Sequence, residues 1–568
     1  MALSWGRVRV RRAAVTAAAV ALAVALPLAP AAAQEVTVAV DGAADGAPLK
    51  RIWPYFGYDE PNYTTTPVGR ELLADVAAAD RGRVYVRTHF LLNSGDGKPS
   101  LKWGSTNVYS EDAQGLSVYD WRILDSIMDT ITASGCRPFA QIGFMPRDLS
   151  ARPEPYRNSG TYQLDGGCFY PPKDYAKWQA LVRAWAVHAR GRYPDAESTW
   201  QWELWNEPNI GYFKGTPAEY ARMYDHAEAA LHEVMPQAPL GGPETAGVDG
   251  FLTDFLRHCA EGVNAVTGTR GTRLDLVTFH AKGGTSVVDG HVRMDLGNQL
   301  RIHRAGFRAT AAFPALRSTP IIVGEADPDG CAACPASSNP ANAYRNVPAY
   351  GAYVAAMVKH SLDLAEREGV NLRALLTWAW TFDAQPLFLG YRELATGGIH
   401  KPVLNVFKML GKLQGTRLPV RSSGALGLDA LLADGARGTA PDVDALAVRD
   451  GTRVLVLLWN YHDDLVAVAP AHVRLSVRLP AGHGGRARLT HYRVDDTHSN
   501  AHAAWLSLGS PPEPDATQLT RLRAAMQLTT LEAPRTVAAP GGSVTVDMDL
   551  PRFGVSLVVL EPTGASLR

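Results

Sequence analysis

Two glutamates in this sequence carry neighbours that point to chemistry. Glu207 sits in Trp205-Asn206-Glu207-Pro208-Asn209, and Glu325 sits in Gly324-Glu325-Ala326-Asp327-Pro328. Two carboxyls held across a cleft can cut an acetal linkage such as a glycosidic bond. One protonates the departing oxygen, while the other attacks or steadies the oxocarbenium-like carbon. Asn206, next to the first glutamate, suits a hydrogen bond to the hydroxyl beside the reacting carbon. Taken singly, each glutamate reads as a solvated loop carboxylate. The chemistry therefore depends on elements that bring the two together.

Those elements are legible as short apolar runs at Tyr55–Tyr58, Arg83–Phe90, Arg137–Phe144, Thr199–Trp205, Leu240–Gly242, Leu274–His280, Pro320–Gly324 and Ala374–Trp380. Most are continuously apolar rather than alternating, as parallel strands covered on both faces are. Helical patterns lie between them. Trp121–Ala133 gathers Ile123, Leu124, Ile127, Met128 and Ile131 on one face and stops at Gly135. Thr216-Pro217-Ala218-Glu219 reads as a capping box with proline at the first helical position. The expected fold is α/β, a (β/α)8 TIM barrel over residues 51–415. A doubly wound sheet is disfavoured because no Gly-rich phosphate loop follows the first strand. Beyond it, hairpin-like runs at Leu446–Val448 and Val454–Trp459, then Val473–Leu479, Ala487–Val494, Val544–Leu550 and Val555–Leu560, give a C-terminal β-sandwich over 416–568. Residues 34–50, with the alternating Glu35–Val40, add an N-terminal strand to that sandwich.

A barrel of this kind keeps its chemistry at the C-terminal ends of its strands. The second strand carries Arg87 and His89, Glu207 follows the fourth, the fifth ends at Glu244, the sixth at His280 with Lys282 two residues beyond, the seventh at Glu325 and the eighth at Trp378–Trp380. Glu203, inside strand four, reads as an internally paired carboxylate. Of Trp378 and Trp380, which alternate in facing, at most one can stack on a ligand.

These motifs resemble glycoside hydrolase family 39, the β-xylosidases and α-L-iduronidases. The resemblance spans nearly the whole mature chain. It is carried by Asp120-Trp121, Pro138-Phe139, Gly143-Phe144-Met145-Pro146, the Asn206-Glu207-Pro208 element, Phe279-His280-Ala281-Lys282, Gly324–Pro328, Lys401–Asn405, and Thr497–Asn500 with Trp505. It implies that Glu207 is the acid/base and Glu325 the nucleophile of a retaining double displacement. The mechanism requires no metal or organic cofactor, and the reading of the strand ends adds Asn206, Arg87, His89, His280, Lys282, Glu244 and Trp378 as candidate substrate contacts. The expected activity is that of an exo-glycosidase, a β-xylosidase acting on β-1,4-xylo-oligosaccharides. The alternatives are α-L-iduronide, β-galactoside or α-L-arabinoside specificity, or an inactive carbohydrate-binding relative. Ala326-Asp327-Pro328 is closer to the iduronidase pattern, and an iduronidase needs a cation, such as Lys282, to hold the substrate carboxylate.

Composition agrees with a small-molecule enzyme. The 568 residues carry 56 Lys plus Arg and 56 Asp plus Glu, a formal charge of zero, with 46% hydrophobic and 20% charged residues. Nucleic-acid binding or a basic membrane face is not expected from that balance. The 13 Trp are unusually many, which suits either large cores or a surface that stacks on flat ligands such as sugar rings, and composition alone does not choose between them. Residues 1–33 read as an export signal: Arg7, Arg9, Arg11 and Arg12, an Ala- and Val-rich run, then cleavage near Ala33. The mature protein is expected to be periplasmic or secreted, with no membrane association after cleavage. Of five cysteines, Cys331 and Cys334 are placed to close a small loop disulfide, while Cys136 and Cys259 read as buried thiols.

Overall fold

A computed structural model describes residues 34–80, 83–157 and 164–563, so the leader at 1–33 lies outside it. The chain opens with β1 (Glu35–Asp41). It then runs β2 (Tyr55–Tyr58), α1 (Pro67–Asp80), β3 (Tyr85–Thr88), α2 (Arg122–Ala133), β4 (Arg137–Ile142), α3 (Tyr175–Arg192) and β5 (Gln201–Leu204). After these come α4 (Pro217–Val234), β6 (Leu240–Thr245), α5 (Gly250–Glu261), β7 (Leu276–His280), α6 (Leu296–Ala311), β8 (Ile321–Glu325), α7 (Pro348–Glu368), β9 (Leu372–Leu375) and α8 (Pro402–Gly411).

Strands β2 to β9 form one sheet in sequential order, every pair parallel. Phe56 bridges Thr377, and Thr377 N–H donates to the Tyr55 carbonyl at 3.0 Å, closing the sheet on itself. This is the (β/α)8 barrel, not an open sheet. Its strands are buried on both faces, as their apolar composition requires: β4, for example, has Phe139, Ala140 and Ile142 at 1% exposure or less. The helices follow local rules. In α2, Leu124, Ile127, Met128 and Ile131 are buried on one side, and Gly135 takes φ 87° just beyond the end. Thr216 Oγ1 accepts from Glu219 N–H and the Glu219 carboxylate accepts from Thr216 N–H, completing the box at the start of α4.

Strand limits differ modestly from the sequence reading. The eighth strand is Leu372–Leu375 rather than Ala374–Trp380, because Trp378 and Trp380 lie in the loop beyond it. The fifth extends to Thr245, which carries Glu244 inside the strand.

The C-terminal region consists of β10 (Asp442–Asp450), β11 (Arg453–Tyr461), β12 (Ala471–Arg478), β13 (Arg486–Val494), β14 (Ser543–Leu550) and β15 (Val555–Pro562). One sheet orders Val420–Ser422, β1, β12 and β14; the other contains β10, β11, β15 and β13. β1 pairs parallel with β12, from Glu35 opposite His472 to Asp41 opposite Arg478. Val36, Val38 and Val40 thereby enter the core between the sheets. Three helices, Leu428–Asp434, Ala501–Ser507 and Ala516–Ala525, interrupt what the sequence reads as all-β. Among the described residues, no helix is long and apolar enough to cross a membrane.

Candidate active site

The site is assembled where the barrel strands end. Arg87, in the last turn of register of β3, is fully buried. Its Nε donates to Glu203 of β5, and one Nη donates to Asn206 Oδ1 at 3.1 Å. The same guanidinium lies 3.8 Å from Glu244 of β6 and 3.8 Å from Glu325 of β8. One cation inside the barrel thus organises carboxylates from three strands. Because an Arg fork has fixed geometry, it also fixes where Asn206 sits.

His280, the last residue of β7, is the second organiser. Its Nδ1 is 2.9 Å from Glu207 Oε1 and its Nε2 is 2.9 Å from Glu244 Oε2. Burial pushes its pKa down, but Glu325, Glu207 and Glu244 outweigh that and raise it to about 9. It is an imidazolium at neutral pH, with both nitrogens donating. Glu244 is held down to about 2 against burial by Arg87, Glu203 and His280, whereas burial raises Glu203 well above the usual range. The two share one negative charge, with the proton on Glu203.

Glu325 is 6% exposed. Lys282 Nζ lies 2.5 Å from its Oε2 and 3.0 Å from Asp327 Oδ2. Burial alone would raise the Glu325 pKa; Lys282, His280 and Arg87 together hold it well below the carboxylate range. One carboxylate oxygen each of Glu207 and Glu325, with a ring nitrogen of His280, lie within 4.8 Å of one another. The trio has the composition of a metal site, but the ammonium, imidazolium and guanidinium already occupy its carboxylate oxygens, which disfavours a further cation.

On the other side of the mouth, His89 Nδ1 bonds to Asp59 Oδ1 at 2.7 Å. Burial and then Arg87 hold the His89 pKa well below its usual value, so the ring is neutral. Donating through Nδ1 leaves Nε2 as a buried acceptor with no protein partner. Trp378 stacks on His89 with centroids 4.2 Å apart and carries the Arg87 guanidinium 4.9 Å over its ring. Trp380 instead stacks on Tyr58 at 4.8 Å, packing into the shell.

Every residue singled out from the sequence is therefore in one connected cluster: Arg87, His89, Asn206, Glu207, Glu244, His280, Lys282, Glu325 and Trp378. Sequence reasoning missed Asp59, Lys102, Asp327 and Arg392. Asp59 carried a usable signal, since it directly follows the first strand. Lys102 comes from an irregular loop and is 7% exposed in its side chain, paired with Asp59, while its own N–H donates to Glu60 at 2.7 Å. Burial pushes its pKa down to about 7. Arg392 pairs with Asp327 at 3.4 Å and Asp329 at 2.7 Å. Arg345 joins Asp329 at 2.6 Å and the Cys331 carbonyl at 2.6 Å, tying in the loop closed by the Cys331–Cys334 disulfide. Cys136, Cys168 and Cys259 are buried free thiols. Asn500 caps the short helix that bears Trp505, which packs on Phe388 at 5.2 Å.

The backbone is unusual at these positions. Trp205, Glu207 and Glu244 have φ of 70°, 45° and 53°, left-handed values for residues with side chains. Such conformations cost about 1–3 kcal/mol each and persist only where the surroundings enforce them. Here Glu207 N–H donates to the Glu244 carbonyl at 2.8 Å.

Comparison with known proteins places this geometry. A family model described as Glycosyl hydrolases family 39 matches residues 36–544. A β-xylosidase of Caldicellulosiruptor saccharolyticus is 24% identical over 79% of this chain and 82% of its own. The α-L-iduronidase of Homo sapiens is 29% identical over 90% of this chain and 76% of its own. The crystal structure of a family 39 enzyme from Xanthomonas axonopodis pv. citri shares the fold, with TM-score 0.72 at 22% identity over 95% of this chain and 98% of its own.

Proposed function

The chain belongs to glycosyl hydrolase family 39, and we propose that it hydrolyses terminal glycosides with retention of configuration. In that reading Glu325 is the nucleophile and Glu207 the acid/base. The observation that carries this is the spacing of the two carboxylates, whose oxygens lie within 4.8 Å. Retaining enzymes hold the pair about 5–5.5 Å apart, whereas inverting ones need about 6.5–9.5 Å to admit a water.

The surrounding groups support the roles. Glu325 is held ionised by Lys282 and its neighbours and is ready to attack the anomeric carbon. His280 donates to Glu207 Oε1, so the other oxygen is the one left to deliver a proton to the leaving group. Once Glu207 gives that proton up, the same imidazolium stabilises the carboxylate that must next deprotonate water. Asn206, its oxygen taken by Arg87, has its amide nitrogen left to donate to a sugar hydroxyl. His89 Nε2 accepts from another.

For the sugar, a neutral pentopyranoside, as in β-1,4-xylo-oligosaccharides, fits the charge arrangement best. Lys102 pairs with Asp59, Lys282 with Glu325 and Asp327, Arg392 with Asp327 and Asp329, and Arg87 and His280 with Glu244. Among the described residues, each of these cations is thus already paired with a protein carboxylate. A second reading, α-L-iduronides, is favoured by the higher identity to the iduronidase and by Lys282, whose side chain keeps 16% of its surface open.

Aryl β-xyloside, α-L-iduronide, β-galactoside and α-L-arabinoside, assayed with proton NMR of the first-formed anomer, separate these readings. Glu207→Ala is expected to lose about 100- to 10,000-fold in turnover of poor leaving groups, with azide restoring turnover of activated ones. Near-wild-type turnover by Glu325→Ala, or an inverted product, would sink the assignment.

A further inference from the structure

The opposite end of the barrel carries a feature that glycoside hydrolysis does not use. A cleft of about 400 Å³ opens at the N-terminal ends of the adjacent strands β9, β2, β3 and β4. Lys50, Arg51, Arg83, Arg137 and Arg373 line it, and no Asp or Glu does. We propose that this cleft is a binding site for a doubly charged tetrahedral oxyanion, phosphate or sulfate, free or esterified on a small solute.

One of the five cations has a structural task. Arg51 pairs with Asp80 at 2.6 Å and donates to the Gly411 carbonyl at 3.0 Å, closing the C-terminal end of α8. The other four are not neutralised in this way. Among the described residues, no carboxylate within ion-pair distance accompanies Lys50, Arg83, Arg137 or Arg373. Their recorded contacts are to neutral groups: Lys50 Nζ to Asn371 Oδ1 at 3.3 Å, and an Arg137 Nη to the Tyr85 hydroxyl at 3.4 Å. Arg373 bonds the hydroxyls of Tyr55 and Tyr85 and donates from Nε and Nη2 to the Gln201 side-chain oxygen at 3.0 and 3.1 Å; the two tyrosine rings stack 4.7 Å apart, 4% and 8% exposed, beneath the cleft.

That floor matters for recognition. Guanidinium groups anchored to buried neutral side chains lose little freedom when they bind, and the N–H groups those anchors leave over match an oxyanion with several acceptor oxygens. Like charges with no carboxylate in ion-pair distance repel one another, Asp80 lending Arg83 only a longer-range attraction, and a dianion relieves this more than a monovalent carboxylate does. Another cleft, about 490 Å³ between barrel and sandwich, lacks this imbalance. Its Lys359 and Arg417 are paired with Asp363.

The test is calorimetric titration of the full-length protein at low ionic strength. The probes are inorganic phosphate and glucose 6-phosphate, with glucuronate as the monovalent comparator. Saturable one-to-one binding of a phosphate probe, weakened by added salt, is expected. Arg137→Gln with Arg373→Gln should weaken it by about tenfold or more. Lys50→Gln with Arg83→Gln, both solvent-exposed, should do the same while leaving glycoside hydrolysis and the melting temperature unchanged, which keeps the test valid if the first pair folds poorly. Tighter binding of inorganic phosphate identifies a free ion, and tighter binding of the sugar phosphate an esterified one. Absence of saturable phosphate binding, unchanged affinity in the Lys50/Arg83 variant, or tighter binding of glucuronate would overturn the proposal.

Discussion

At the scale of single residues, the site is a problem of charge. Six acidic side chains, Asp59, Glu203, Glu207, Glu244, Glu325 and Asp327, gather at the ends of four strands, and folding succeeds because cations are interleaved among them. His280 links the pair to pH. Its pKa of about 9 in the folded chain lies above the roughly 6.5 of an unfolded histidine. The stabilisation it gives is therefore complete below about pH 6.5 and lost as pH rises through 9, roughly 3 kcal/mol at its greatest. Denaturant unfolding of wild type and His280→Gln across this range should show a stability gap that closes toward alkaline pH. A gap constant with pH would mean that His280 acts by packing alone. The identities of these residues were legible, since each stands at the end of an apolar run. Lys102 was not, because it reaches Asp59 from a loop whose path no periodicity encodes.

At the scale of elements, strand ends set the geometry, and small residues make room for it. Gly324 immediately precedes Glu325 in β8, and a Cβ there would run into the Glu244 carboxylate from β6. Gly57 likewise leaves space for the Trp378 ring. A Gly324→Ala enzyme should keep its fold but displace Glu244 from Arg87 and His280. Its kcat/KM is expected to fall about 100-fold, as a misplacement of an ångström can cause. Gly191→Ala, in α3 with open space around its Cβ position, serves as the control and should keep full activity. If both variants were equally active, close approach at Gly324 would have no catalytic consequence. The strands themselves could be read from composition, because burial on both faces demands continuous apolar runs. The left-handed turns at Trp205, Glu207 and Glu244 could not, since those residue types do not announce a positive φ. The helices Ala501–Ser507 and Ala516–Ala525 escaped notice for a related reason: their exposed faces give only weak helical periodicity.

At the scale of the whole molecule, barrel and sandwich are built as one body. Leu446, Val448, Leu455, Leu457 and Trp459, from the outer face of β10 and β11, belong to the same apolar cluster as the barrel helices. Buried polar contacts pin this seam: His360 of α7 meets Asp442 at 2.8 Å, and Lys359 meets Asp444 at 2.6 Å. Trp459 Nε1 donates to Asp442 at 3.0 Å. The first strand, β1, is separated in sequence from its sandwich partners by the entire barrel, so the sandwich sheet is completed only when the two ends of the chain meet. Residues that share a core unfold together. Calorimetry of wild type should therefore give a single transition, coincident with thermal loss of hydrolysis. Trp459→Ala removes a fully buried ring and leaves Asp442 short of a donor, at a cost of about 3–5 kcal/mol. Although it lies in the sandwich, far from the catalytic carboxylates, it should lower the temperature at which activity is lost in step with the calorimetric midpoint. Two separated transitions, with activity following only one, would mean that the seam is an ordinary domain contact and that the barrel holds its active site unaided.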